Sequence, residues 1–266
     1  MIKLIKKVSY LSAALAVVTV SSQASANHTW NDYHWASTTS TINLKVIDST
    51  TADWDQELND SLAAWSQSSS PFMFTIASSD DASRTRKRCN MVSGQMRVCN
   101  AAYGQNGWLG LASINLDSNG HITQGTAKMN DSYDSYWTQS EKNHVMCQEI
   151  GHVFGLGHTS EDGSSQKTCM DYSQDVNSQW PNAHDYQLLA SMYNHLETYN
   201  SYDDGSSSGG GGGCKGGPKK CGKAKGNNEF GLGHKVLSAD KYEIWVEQEA
   251  DGTYTVHHVY LAEGHH

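Results

Sequence analysis

The chain has 266 residues, 37% hydrophobic and 18% charged, with 19 basic against 28 acidic side chains and a formal charge of −9. Eight Trp and thirteen Tyr supply enough apolar bulk for a core, which excludes a wholly disordered chain. The acidic balance excludes nucleic acid as the main partner, and the length suits one good-sized domain or one with an appendage.

In chain order, Lys3, Lys6 and Lys7 precede a largely apolar run from Val8 to Val20, which gives way to Ser21-Ser22-Gln23-Ala24-Ser25-Ala26. That order reads as a secretory signal peptide over residues 1–26, cut after Ala26. About thirteen such residues are too few to cross a bilayer that needs about 20. No membrane span is expected, and the mature protein is expected to be secreted, either extracellular or periplasmic. An oxidising compartment lets thiols pair. The six cysteines fall in three neighbourhoods, Cys89 with Cys99, Cys147 with Cys169, and Cys214 with Cys221, although six allow about 15 full pairings. Ser93-Gly94 is a turn signal between Cys89 and Cys99, as a disulfide-closed hairpin requires.

Thr41 to Ile47 alternates as a strand, with Ile42, Leu44 and Val46 on one face. Asp53 to Trp65 has helical spacing through Trp54, Leu58, Leu62 and Trp65, and Pro71 to Ile76 reads as a second strand. A strand, helix, strand opening suggests an α/β or α+β layer. Met96 to Ala101, Ala112 to Leu116 and His121 to Met129 are further strands, the last two joined by the turn Asp117-Ser118-Asn119-Gly120. Helices are expected from Gln139 to Phe154 and from Ala183 to Leu196, the second with Leu188, Leu189, Met192 and Leu196 on a common face. Gly205 to Gly226 holds ten Gly and five Lys with no acid, the composition of a flexible linker containing the Cys214–Cys221 loop. Beyond it, Tyr242 to Val246 and Thr253 to Tyr260 alternate around Ala250-Asp251-Gly252 as a hairpin.

The most informative stretch is Cys147-Gln148-Glu149-Ile150-Gly151-His152-Val153-Phe154-Gly155-Leu156-Gly157-His158. On a helix, Gln148 and His152 are four apart and share a face, where both side chains reach one ion. Glu149 sits beside that face without joining the ligands. Gly155 can take a positive φ and end the helix, turning His158 back toward the same ion. His144 is eight residues before His152, about 12 Å along the axis, too far to share it.

This spacing resembles the elongated zinc motif of the metzincin metallopeptidases, His-Glu-x-x-His-x-x-Gly-x-x-His, with Gln148 in place of the first His. The wording from Met146 to His152, with Cys169-Met170-Asp171-Tyr172 downstream, also looks like a group of secreted bacterial proteins sharing this Gln variant. The resemblance covers roughly Thr41 to Leu196. It implies an α+β zincin domain with a twisted mixed sheet, an active-site helix, a turn placing Met170 beneath the metal, and a C-terminal helix. One Zn2+ would be held by His152, His158 and, through its weaker amide oxygen, Gln148. Tyr172, two residues after Met170, inherits the role of an extra ligand that polarises the reaction centre. With Met170 below the site, Cys147 and Cys169 come close enough to bridge.

The implied activity is that of a secreted zinc endopeptidase, with a peptide or protein as substrate. The ion polarises the scissile carbonyl and a water, while Glu149 takes the water's proton and passes it to the leaving nitrogen. Metzincins pair extended substrate with an edge strand above the metal. Here the stretch Trp108 to Ala112 and the residues leading to Asn130 are the region for it, where an ordinary hairpin fits equally well. The resulting division is a signal peptide over 1–26, a metzincin-like catalytic domain over 27–201, a Gly/Lys-rich linker over 202–233, and a small C-terminal β-hairpin segment over 234–266. A rival reading, motivated by Gln148, is a catalytically weak or inactive scaffold that binds peptide or a surface without cutting. A third gives the basic tail a weak contact with anionic surfaces.

Overall fold

The computed structural model describes residues 28–205 and 232–264. The signal segment, most of the Gly/Lys linker, Cys214 and Cys221 lie outside the described residues. The protein is α+β, with a large mixed sheet and few helices. In chain order come β1 (His34–Trp35), β2 (Ile42–Ser49), α1 (Asp55–Trp65), β3 (Phe72–Ser79), α2 (Ser83–Arg88), β4 (Gln95–Ala101), β5 (Trp108–Leu116) and β6 (His121–Asn130). A 3-10 segment (Asp131–Tyr136), α3 (Gln139–Val153), α4 (Ala183–Met192), β7 (His234–Ser238), β8 (Tyr242–Gln248) and β9 (Tyr254–Leu261) follow.

The sheet runs β3-β2-β4-β6-β5-β9-β8-β7, with β1 pairing the start of β6. Strands β2, β3, β4 and β6 are mutually parallel, whereas β5 and the three C-terminal strands pair antiparallel. Helix α3 lies across β5 and β6 with α1 beside it, and the Trp65 indole N–H donates to the Cys147 carbonyl at 3.0 Å. Every residue of α3 from Asn143 to Val153 is buried, so this helix carries no one-sided apolar stripe. Its start is fixed locally: the Thr138 hydroxyl accepts from the Glu141 N–H, and the Glu141 carboxylate accepts from the Thr138 N–H.

Four expectations are corrected. Cys89 and Cys99 are disulfide-bonded, but not across a hairpin: Cys89 ends the short helix α2, while Cys99 lies in β4 between parallel neighbours. The second helix stops at Met192 rather than Leu196. The Tyr193 hydroxyl donates to the Phe154 carbonyl, the chain turns back along residues 36–38, and Leu196 is left 62% exposed. Of the two readings left open for the residues leading to Asn130, the ordinary hairpin holds: β6 pairs antiparallel with β5 and lies between β4 and β5. The C-terminal segment is not a separate hairpin: it forms three strands, and β9 pairs with β5 along nearly its whole length. Tyr202 and Asp203, at the start of the expected linker, pack on the domain, with Lys45 Nζ 2.9 Å from Asp203 Oδ1.

Cys147 and Cys169 form the second disulfide. No helix among the described residues is long and apolar enough to cross a membrane.

The end of α3 depends on one glycine. Gly155 has φ +87°, and a Cβ there would lie 1.7 Å from the Tyr33 carbonyl oxygen. Gly155→Ala is expected to destabilise the protein by at least about 1–3 kcal/mol from backbone strain alone, read as a lower urea midpoint at unchanged slope.

Candidate metal centre

The Gln148-to-His158 segment folds as its spacing predicts, and the geometry adds a residue the sequence did not offer. His152 and His158 face each other with their Nε2 atoms 3.1 Å apart. A third imidazole, His258 of β9, stacks on His152 at 3.9 Å between ring centroids and stands 4.5 Å from His158. One ring nitrogen from each of the three lies within 4.8 Å of the others. His258 reaches this position through strand phase. It pairs opposite Ala112 of β5, and with Val256 and Tyr260 it faces the helix, while Val259 and Leu261 cover the opposite face with Trp108, Leu111 and Trp245.

The donors suit a borderline metal ion. His152 Nδ1 faces the Leu156 carbonyl at 2.8 Å, which fixes the N–H on that nitrogen and leaves a lone pair on Nε2. Two nitrogens bound to one tetrahedral ion at 2.0–2.1 Å stand about 3.3 Å apart, close to the observed His152–His158 separation. Gln148 donates Nε2–H to the Asp171 carbonyl at 2.9 Å, so its buried Oε1 is oriented and has no hydrogen-bond partner. The Tyr172 hydroxyl lies 3.4 Å from His258 Nε2, and its ring packs at 4.1 Å against His158. His144 is held away, with Nδ1 on the Ser178 carbonyl at 2.6 Å.

Glu149 is fully buried, and neither carboxylate oxygen has a hydrogen-bond partner. A Cβ on Gly110 of β5 would stand 2.3 Å from Glu149 Oε1, so only glycine leaves room for the carboxylate beneath that strand. Beneath the helix, a Cβ on Gly151 would meet Met170 Sδ at 2.5 Å, which places Met170 directly under the segment carrying His152. The Cys147–Cys169 bond ties the helix to that floor.

Burial sets the protonation of the ring. It pushes His152 down to about 4, against a modest opposing effect of the Leu156 carbonyl. Burial and then neighbouring imidazoles hold His158 and His258 well below the usual histidine range. Burial drives Glu149 well above the usual carboxylate range, against a smaller influence of the Ala112 main chain, which does not reach hydrogen-bond geometry with either oxygen. Burial also raises Tyr172, keeping its hydroxyl protonated.

Of the residues singled out in the sequence, His152, His158 and Tyr172 meet around His258, Met170 lies against the same helix at Gly151, and Gln148 and Glu149 are buried on that helix within a turn of His152. The sequence reading missed His258, whose only sequence signal is its phase within an alternating strand. No protein-family model matches this chain, and no curated protein matches it.

Neutral buried imidazoles make metal-free protein acid-sensitive. His152 and His28 are both pushed by burial from 6.5 to about 4, so the unfolded chain binds more protons between those values. With His144, His158 and His258, also held down by burial, these rings outnumber the carboxyls that burial raises, Glu149, Asp185 and Asp131, which act in the opposite sense. Stability of chelator-treated protein is therefore expected to fall from about pH 6.5 toward pH 4, each ring contributing about 1.4 kcal/mol per pH unit and each raised carboxyl offsetting part of it. Urea unfolding at pH 7, 6 and 5 checks this, and an unchanged midpoint would contradict it.

Proposed function

We propose that this protein is an exported, zinc-dependent endopeptidase of the metzincin kind, whose cleft is closed in the folded chain by its own C-terminal strand. The observation that carries the reading is Glu149: a buried carboxylate with unpartnered oxygens, one helix turn before His152, whose imidazole faces that of His158 beyond the end of the helix. With β9 in place His258 supplies the third ring of the set, and when β9 leaves, the amide oxygen of Gln148 is the third donor beside His152 and His158. A nitrogen-rich set of this kind favours zinc over calcium or magnesium. Two disulfides agree with an oxidising compartment.

Bound zinc supplies Lewis acidity to a peptide carbonyl and to the attacking water. Glu149 takes the proton from that water and delivers it to the departing amide nitrogen. Burial raises its affinity for protons above that of an ordinary carboxylate, the direction a proton shuttle needs. In this reading the Tyr172 hydroxyl, kept protonated by burial, donates a hydrogen bond to the oxygen on which negative charge develops. An extended substrate adds to β5 through main-chain hydrogen bonds, and β9 occupies that edge in antiparallel register from Trp108 to Leu116. Hydrolysis therefore requires β9 to leave β5.

The same observation favours the second reading, an inert scaffold, if β9 never leaves. The two are separated by assaying casein and a mixed peptide library with the full chain and with a chain ending at Gly205, each zinc-loaded or chelated. The shorter chain is expected to cleave, chelator to stop it, and Glu149→Ala to lower the rate about 10²–10⁴-fold while leaving metal content unchanged. No cleavage by either zinc-loaded form would leave the inert scaffold as the reading that stands.

A further inference from the structure

On the far side of the N-terminal segment, four side chains from three separate parts of the chain converge outside the centre described above. His34 comes from β1, His121 opens β6, and His195 and Glu197 follow α4. Parallel pairing of β1 with β6 sets His34 directly beside His121. The three Nε2 atoms surround one carboxylate oxygen: Glu197 Oε1 lies 3.7 Å from His34, 3.4 Å from His121 and 3.1 Å from His195. His34 and His195 present their Nε2 atoms to each other at 3.2 Å.

Hydrogen bonding accounts for His195, whose Nε2 meets Glu197 Oε1 at 3.1 Å, but not for His34 and His121. His34 Nδ1 faces the Asp32 carbonyl at 2.8 Å, an acceptor, so that nitrogen carries the hydrogen. His121 Nδ1 faces the Tyr199 hydroxyl at 2.7 Å, and that hydroxyl donates onward to Asp117. His121 is therefore the donor in its own contact, again from Nδ1. In the neutral rings both Nε2 atoms aim lone pairs at a carboxylate oxygen, and a cation between them removes the conflict. Donors placed 2.0–2.1 Å from a tetrahedral ion stand about 3.3 Å apart; His34, His121 and Glu197 lie within 4.8 Å of one another, and His195 meets Glu197 and His34 at 3.1 and 3.2 Å. Rings turned by a carbonyl and by a Tyr–Asp pair through their other nitrogen are also what metal-binding histidines require.

We propose that His34, His121, His195 and Glu197 form a second metal site, taking one divalent ion of the zinc class with three nitrogens and one carboxylate oxygen. All four positions are filled by the protein, which makes the site structural rather than catalytic. It joins β1 and β6 to the segment after α4. Through β1 it holds the N-terminal stretch whose Trp30 N–H donates to the Gly155 carbonyl at 2.7 Å. The site does not rest on the proposed peptidase activity.

The test is zinc titration of metal-free full-length protein by calorimetry, compared with His195→Ala and Glu197→Gln, with circular dichroism confirming that each variant folds. His195 is exposed and Glu197 partly so, which makes both substitutions tolerable to the core. The parent is expected to bind one more equivalent of zinc than either variant, or to bind one equivalent at least tenfold more tightly. Tyr199→Phe, which removes the hydroxyl orienting His121, should weaken that same equivalent by about 10–100-fold. Equal stoichiometry and affinity in the parent and both folded variants would overturn the proposal, whatever the first centre binds.

Discussion

A carboxylate and three imidazoles held together in a dry interior form the constraint around which this fold is arranged. A buried polar atom without a partner costs on the order of 1–3 kcal/mol, and Glu149 alone contributes two such atoms. The neighbouring backbone is shaped to permit them. Gly110 leaves space under β5 for Glu149, Gly151 lets Met170 rise against the helix, and Gly155 turns the chain so that His158 meets His152. Larger residues at these three places would close the centre before any chemistry could be considered.

The C-terminal strands change the character of that centre. Through β9 they add His258 to the pair formed by the helix, and they also cover β5, the strand that would otherwise expose its main chain. Tyr242 of β8 stacks on His258 and donates to Glu161, so the covering strands are joined to the loop after His158 as well as to the sheet. One segment thus completes the donor set and shields it from solvent. In the peptidase reading these two effects oppose each other, because the strand that supplies a ring also occupies the place of an extended substrate.

The N-terminal segment binds the same region from the other end. Gly157 donates to the His28 carbonyl, and Thr29 forms a bridge with Leu156, so the chain between His152 and His158 is paired along its length. His34, a few residues on, belongs to the second cluster of imidazoles. Residues far apart in sequence therefore fix both clusters, and their positions are linked through a short stretch of backbone.

Local chemistry was enough to place much of this in advance. The alternation of β2 and the positive-φ glycine at the end of α3 are dictated by neighbours within a few residues. The spacing from Gln148 to His158 is equally local, since helical geometry and one turn decide which side chains meet. Where the sequence reading failed, the deciding contacts were distant. α4 ends early because Tyr193 finds Phe154, and the C-terminal segment joins the sheet because β9 pairs with β5. What the sequence determined by itself was the helix, its turn and the polar groups they carry. Only the tertiary structure decided that β9 lies on β5 in the register that sends His258 inward, and that β1, β6 and the segment after α4 gather three more histidines. Strand pairing joins residues without regard to their separation along the chain, so no local pattern could specify either meeting.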